Sequence, residues 1–274
     1  MERHQVIIVI PVYKYPDQKE CTALRQCFQV LGKYEITIIH PPGLETHVIR
    51  EMHPSLLFTE MDAHWFRDIR AYNRLVLNCS FYKQFDRYEY MLIYQPDAYV
   101  FRDELSQWIA KGYDYIGAPW IPNSRKYEGK WGRSYLNFRR WWSHCILRKS
   151  VCSTDRHYRV GNGGFSLRKI SRMIEVTSQY SNEIESYLRT QKKFWGEDVF
   201  LCIYLRERAG LNIPAWEEAL PFAFEINPRL AFKLNGHQLP FGCHDWGRKK
   251  RWEQFWKHYI TLCQPKIQLQ ESNF

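Results

Sequence analysis

No stretch of this 274-residue chain is long and apolar enough to cross a bilayer. The apolar run near the start, Val6 to Val12, has the length of a strand and falls far short of a spanning helix. No Cys-x-x-Cys occurs among Cys21, Cys27, Cys79, Cys145, Cys152, Cys202, Cys243 and Cys263, and their wide spacings argue against a disulfide framework. No signal-peptide pattern opens the chain, so the expectation is a cytoplasmic protein with reduced, mostly buried thiols. No internal repeat and no low-complexity tract is visible, which sets aside solenoids and disordered arrays. The glycine cluster at 161–164 is not followed by Gly-Lys-Ser/Thr, so it is not a P-loop. Its spacing and mid-chain position do not fit the dinucleotide fingerprint either.

What is present is an ordinary globular composition, 45% hydrophobic and 25% charged, rich in aromatics at 16% with 11 Trp and 18 Tyr. Most such rings belong in a core, but a flat apolar face with a polar handle also suits sugars. The formal net charge is +10, which points to an anionic partner: nucleic acid, anionic lipid headgroups or a phosphorylated substrate.

Val6 to Val12 reads as a strand buried on both faces, Asp17 to Lys33 as a helix, and Glu35 to Ile39 as a second buried strand. This β-α-β opening predicts an α/β fold with a mostly parallel, doubly wound central sheet. Further strands are expected at Leu56–Thr59, Tyr90–Tyr94, Tyr113–Gly117, Phe222–Glu225 and Pro240–Cys243, with Val160–Leu167 as an ordered segment. Helices are expected at 69–85, 168–189, 197–209 and 248–262. Residues 121–158 interleave Arg, Lys, Trp and Tyr with little periodicity and read as a long loop or insertion, a candidate lid.

Four constellations carry chemistry. Gln95-Pro96-Asp97 follows the 90–94 strand, where an open α/β sheet places its ligands; an acid there suits a hard cation on a diphosphate and equally suits a turn. Gly161-Asn162-Gly163-Gly164 allows close backbone approach, with Asn162 able to bond hydroxyls; a tight turn is the plain alternative. Trp195-Gly196-Glu197-Asp198 sets two acids at a helix start, where they serve as caps or as a general base with a partner beside an aromatic floor. His244, after a late strand, can return to the site as a metal ligand, although a lone His is usually structural.

In this order the motifs resemble those of GT-A glycosyltransferases. Gly163-Gly164-Phe165 with Trp195-Gly196-Glu197-Asp198 is similar to stretches of β-1,4-galactosyltransferases. Tyr94 to Phe101, Tyr115 to Trp120, Val160 to Arg168 and Glu197-Asp198 resemble more closely a bacterial and fungal family, long catalogued as a domain of unknown function and placed with GT-A enzymes. The likeness covers about residues 5–247. It implies a GT-A-like (nucleotide-diphospho-sugar transferase) single domain over 1–247, with 248–274 as a C-terminal helix and tail. By the same likeness Asp97 stands at the last acid of the Asp-x-Asp motif that holds Mn²⁺ (or Mg²⁺) and the donor diphosphate, with His244 as a further metal ligand. Gln95 replaces the motif's first acid and keeps only a bond to ribose. Asp198 falls at the catalytic base of inverting relatives, Glu197 and Trp195 at the acceptor, and Pro11, Val12 and Tyr13 at the nucleotide, with Asn162, Gly163 and Gly164 beside the donor.

The function expected is therefore an inverting hexosyltransferase. It would use a nucleotide-sugar, UDP-galactose as first guess, and a glycan acceptor in surface-polysaccharide synthesis. The alternative is a single-stranded nucleic-acid-binding protein, since basic and aromatic residues also make a stacking groove; no recognisable module supports it. A glycoside hydrolase with paired carboxylates is a further rival, disfavoured by the β-α-β opening. Trp252, Phe255, Trp256, Tyr259 and Ile260 recur at helical spacing beside Lys249, Lys250 and Arg251. That stripe either packs on the sheet or lies on an anionic membrane surface, at the inner face of the cell membrane, near a lipid-linked acceptor.

Overall fold

The computed structural model describes residues 4–148, 152, 154–189, 196–247 and 249–263. The chain runs β1 (His4–Pro11), α1 (Gln18–Leu31), β2 (Glu35–His40), α2 (His47–Met52), β3 (Leu57–Glu60), α3 (Ile69–Leu75), α4 (Cys79–Lys83) and β4 (Tyr88–Tyr94). It continues through β5 (Tyr99–Val100), α5 (Leu105–Ala110), β6 (Tyr115–Gly117), α6 (Gly129–Trp141), β7 (Phe165–Lys169), α7 (Ile170–Gln179) and α8 (Ser181–Arg189). It closes with α9 (Glu197–Val199), α10 (Trp216–Ala219), β8 (Ala223–Phe224), α11 (Pro228–Leu234), β9 (Gly242–Cys243) and α12 (Lys250–Trp256).

Six strands form the central sheet in the order β3-β2-β1-β4-β7-β6. The first four are parallel, and β7 runs antiparallel to both of its neighbours. The expected α/β fold with a mostly parallel central sheet is thus present. β1 is an unbroken β-branched run because Val6 to Ile10 is covered on both faces. α1 starts where the sequence offers a reciprocal cap. Asp17 Oδ1 accepts from the backbone N–H of Lys19 (2.8 Å) and Glu20 (2.9 Å), and Glu20 Oε2 accepts from that of Asp17 (2.8 Å). A small second sheet, β5-β9-β8, stands beside the end of β4 and brings late residues back to that strand's exit.

Several expected elements differ. The helix read over 69–85 is two helices, because Asn78 leaves helical geometry and its side chain accepts from the Ser80 N–H to start α4. The helix read over 168–189 begins as the end of β7 and then breaks at Tyr180 into α7 and α8. The segment 121–158, read as a long loop, holds α6 and a π-helical turn over Trp142–Ile146. Its helical spacing is hard to see because the outward face carries the rings while Gly132 and Leu136 are the buried positions.

The last helix is shorter than expected, and its stripe is core. Trp252, Phe255, Trp256 and Ile260 are buried in a second hydrophobic cluster with Tyr99, Phe224 and Trp246. Phe101 stacks on Trp256 at 5.6 Å, and Phe232 meets Phe255 edge-on at 5.6 Å. Of the two readings of this stripe, a packed face and a face on an anionic membrane surface, the packed one is present. The thiols are also less buried than expected: Cys27, Cys202 and Cys243 are buried, Cys145 is exposed and the rest are half-buried. Among the described residues no helix is long and apolar enough to cross a membrane.

Candidate active site

The antiparallel pairing of β7 with β4 sets Phe165 opposite Tyr94, so the glycine loop and Gln95-Pro96-Asp97 leave the sheet side by side. The Gln95 N–H donates to the Gly164 carbonyl at 2.7 Å. β9 pairs with β5 through Tyr99 and Cys243, which delivers His244 to the same place, and the Asp245 N–H donates to the Asp97 carbonyl at 3.1 Å. Motifs about 150 residues apart in sequence therefore meet through strand register alone.

There, His244 Nε2 lies 3.0 Å from Gln95 Oε1 and 3.2 Å from Asp97 Oδ1, while Nδ1 lies 3.6 Å from Glu225 Oε1 across the ring. Burial opposes a charge on this imidazole, but the Asp97 and Glu225 carboxylates outweigh it and raise its proton affinity well above the usual value. Burial likewise opposes ionisation of Asp97, and His244 more than compensates, holding that carboxyl below the ordinary range. Among the described residues neither His244 Nδ1 nor Glu225 Oε2 has a hydrogen-bond partner. An acid and an imidazole nitrogen converging on one point, backed by a second carboxylate on the far nitrogen, is a donor set that fits a divalent cation.

Glu197 and Asp198 start α9 and point different ways. Glu197 is buried at 5% exposure, and its Oε1 is paired at 2.8 Å with the fully buried Arg168. Arg168 also donates to Ser166 Oγ (3.0 Å) and the Tyr82 hydroxyl (2.8 Å). Asp198 Oδ2 accepts from the Asn162 N–H at 3.0 Å, and its Oδ1 accepts from the Val199 N–H at 2.8 Å. Burial, and after it the Glu197 and Glu225 carboxylates, push the Asp198 carboxyl up to about 7. Asn162 sits at φ 63°, a left-handed conformation, with Oδ1 accepting from the Gly164 N–H at 3.0 Å and a buried Nδ2 that has no partner.

Two cavities meet here. One, about 440 Å³, is lined by Asn162, Gly163, Gly164, Glu197, Asp198, Glu225 and His244, with Arg156 at its wall. The other, about 280 Å³, is lined by Pro11, Val12, Tyr13, Lys14, Arg67, Pro96 and Asp97. Both are bounded by Ile69, Tyr72 and Gln95, so they form one cleft. Every described residue expected at the site lines this cleft. Trp195, expected at the acceptor, lies outside the described residues.

Sequence reasoning gave no role to Arg168, Glu225, Arg156 or Lys14. Arg168 closes the Val160–Arg168 motif, and a charged residue two places after Ser166, on the same face of a short strand, was a signal available to find it. A second group was also missed. His144, Cys152 and Asp155 bring their ligand atoms within 4.8 Å of one another, outside the cleft. In it Asp155 Oδ1 lies 2.9 Å from His144 Nε2 and accepts from Cys152 Sγ at 3.0 Å. The pairing fastens the end of the π-helical turn to the chain that follows.

This sheet order, with a cleft at the strand exits, is the GT-A architecture, and solved glycosyltransferases share it. The galactosyltransferase LgtC, solved with donor and acceptor sugar analogs, aligns over 94% of this chain and 98% of its own at 12% identity and a TM-score of 0.52. GlyE of Streptococcus pneumoniae TIGR4 aligns over 94% of this chain and 61% of its own at 11% identity and a TM-score of 0.52. The bifunctional glycosyltransferase WbbM aligns over 89% of this chain at 14% identity and a TM-score of 0.50, and this chain spans 46% of its length. At these identities the likeness is one of fold. In sequence, the chain belongs to the family described as "Protein of unknown function (DUF5672)", whose profile matches residues 55–244. Comparison with curated proteins gives no match.

Proposed function

We propose that the chain is a metal-dependent glycosyltransferase that moves a sugar from a nucleoside-diphosphate donor to a glycan hydroxyl with inversion, and that residues 1–247 form its catalytic unit. The observation that carries this is Asp198: a carboxylate in the wall of a sugar-sized cavity, its proton affinity raised to about 7, beside a cation-ready pair at a nucleotide-sized cavity. A base with that affinity takes the proton of an attacking hydroxyl near neutral pH.

On this reading Pro11, Val12 and Tyr13 hold the base and ribose side of the donor, with Gln95 at their boundary with the sugar. Lys14 and Arg67, at the same cavity, face the phosphates. Asp97 and His244 would hold Mn²⁺ or Mg²⁺, and Glu225 would orient the imidazole through Nδ1. The cation supplies neutralisation of the charge that builds on the departing diphosphate. Asn162 Nδ2, without a partner among the described residues, suits a sugar hydroxyl, and the bare backbone at Gly163 and Gly164 lets Glu197 and His244 pack against the loop. Glu197 has a narrower part than the acceptor contact expected of it: with Oε1 held by Arg168, it acts mainly by raising Asp198. UDP-galactose as donor and surface-polysaccharide synthesis as setting belong to the same proposal, supported by the fold shared with a galactosyltransferase. Single-stranded nucleic-acid binding, the other class weighed, draws no support from any relative.

A panel of nucleoside diphosphates and nucleotide-sugars, each with Mn²⁺ and with EDTA, tests this. A ligand present at about 100 times its Kd stabilises the native state by about 2.7 kcal/mol, a readily measured rise in Tm. The expected result is stabilisation by one nucleotide class that EDTA removes and that Asp97→Ala abolishes. If no nucleotide raises the Tm in either condition, the donor assignment is wrong. Proton NMR of the product reads inversion or retention at the anomeric carbon directly.

A further inference from the structure

The aromatic stripe of α12 is buried, but α6 carries an unburied aromatic face. Trp131, Tyr135, Phe138 and Trp142 follow one another at intervals of four, three and four residues, so they fall on one side of the helix and the π-helical turn. All four are exposed, Trp131 at 90%. Ile146 and Leu147 extend the stripe, and Phe138 packs its ring 6.0 Å from Trp141 and 6.1 Å from Trp142. The opposite side is anchored. Gly132 lies so close to the Tyr127 backbone that a Cβ would stand 2.5 Å from its carbonyl carbon, Leu136 is buried, and Arg140 donates to the carbonyls of Thr154 (3.1 Å) and His157. The outward face is therefore set by packing, and a contiguous apolar surface of this kind marks a contact site.

Charge identifies what it contacts. From Ser124 to Arg148 the sequence has seven Lys or Arg and a single acid, Glu128. Arg125, Lys126, Lys130 and Arg148 are exposed, and none of them has a carboxylate within ion-pair distance among the described residues. Rings that bury to the depth of lipid headgroups, flanked by unpaired cations that reach phosphates, match an anionic bilayer surface. We propose that the outer face of α6 and its π-helical turn docks the protein on an anionic lipid surface. Arg140 ties this helix to the 154–157 chain, whose Arg156 lines the larger cavity, so docking holds that side of the cleft near the lipid. That last consequence rests on the transferase reading; the docking itself does not.

The experiment is co-sedimentation of the full chain with vesicles of phosphatidylcholine alone and of phosphatidylcholine mixed with phosphatidylglycerol. No turnover is involved, so its outcome is separate from that of the donor screen. Wild type is expected to bind the mixed vesicles, to release at high salt, and to bind neutral vesicles weakly. Trp131→Ser with Phe138→Ser and Trp142→Ser, and separately Lys130→Glu with Arg148→Glu, are expected to lower the bound fraction about tenfold or more. All five side chains are solvent-facing, and an unchanged Tm shows that the variants still fold. The proposal is overturned if wild type ignores anionic vesicles or if the triple variant sediments like wild type. It is equally overturned if the stripe mediates a dimer that the triple variant dissolves with no change in vesicle binding, or if it binds single-stranded DNA in place of vesicles.

Discussion

Glu197 and Asp198 are adjacent acids at one helix start, and the fold treats them oppositely. Glu197 is sealed under the glycine loop against Arg168, with its charge matched. Asp198 turns into the cavity with backbone N–H donors, no facing guanidinium as close, and two further carboxylates nearby that discourage its ionisation. The pair shows how one acid becomes structural so that its neighbour becomes reactive. Glu197 balances the buried Arg168, and what remains of its field raises Asp198 toward neutral pH.

The largest effect is expected from removing the structural half. Arg168→Met leaves Glu197 buried beside an unmatched site and strips donors from Ser166, Tyr82 and the Gly163 carbonyl. Breaking one side of a buried pair typically costs about 3–5 kcal/mol. At roughly 2–4 °C per kcal/mol, thermal denaturation should show a fall on the order of 10 °C. A change of only a degree or two would mean that the Arg168 network is not what holds the Glu197 side rigid.

Next comes the reactive half. Asp198→Asn keeps the shape and one oxygen to accept from a backbone N–H, loses the other of the two contacts, and cannot accept a proton. Turnover is expected to fall by about 10²-fold or more, while nucleotide-dependent stabilisation stays at the wild-type level. In wild type, kcat/KM should decline as pH falls below about 7, because the base is lost to protonation there. If Glu197→Gln removes that limb and Asp198→Asn leaves it in place, the roles of the two acids are exchanged.

The two glycines of the loop divide the same way. A Cβ at Gly163 would stand 1.7 Å from Glu197 Oε1, and one at Gly164 would stand 2.0 Å from His244 Nε2. Gly163→Ala should therefore act mainly on stability, costing about 1–3 kcal/mol. Gly164→Ala should act on the imidazole and lower Mn²⁺-dependent stabilisation by nucleotide. Both read out by thermal shift with and without Mn²⁺, and identical profiles for the two variants would erase the distinction drawn here.

How much of this was readable in advance follows from what each signal depends on. β1, β2 and β4 were legible because a strand covered on both faces must be apolar throughout. The site residues were legible as motifs in the order that GT-A glycosyltransferases share, but their meeting depends on β7 reversing direction beside β4 and on β9 returning beside β5, which no local pattern encodes. Arg168 was passed over because a buried arginine is explained only by a partner 29 residues away in Glu197. In sequence the stripe at 252–260 supports two readings, and 121–158 reads as a loop, for a related reason. Periodicity identifies a stripe, as in Trp252, Phe255 and Trp256, but not whether Phe101 and Phe232 wait to cover it. α6 has a stripe of the same kind that no described residue covers.

The last comparison separates the acids by pH. An Asp198 carboxyl raised from 3.8 to about 7 in the native state binds its proton more tightly there than in the unfolded chain. Its contribution is fully present below the unfolded value near 3.8 and is lost as pH rises through about 7, because the unfolded state then gives up its proton more readily. An asparagine has no such dependence. Asp198→Asn should thus gain stability relative to wild type as pH rises from 4 to 8, read as a Tm difference that grows in its favour. Glu197→Gln should be less stable at both ends of the range, since it unpairs Arg168, and should keep a weakened form of the wild-type slope, since Asp198 then loses only part of what raises it. Urea midpoints or Tm values for the three proteins at the two ends of that range decide it. Parallel curves for wild type and Asp198→Asn would place the raised acid elsewhere and would leave Asp198 an ordinary helix-start carboxylate.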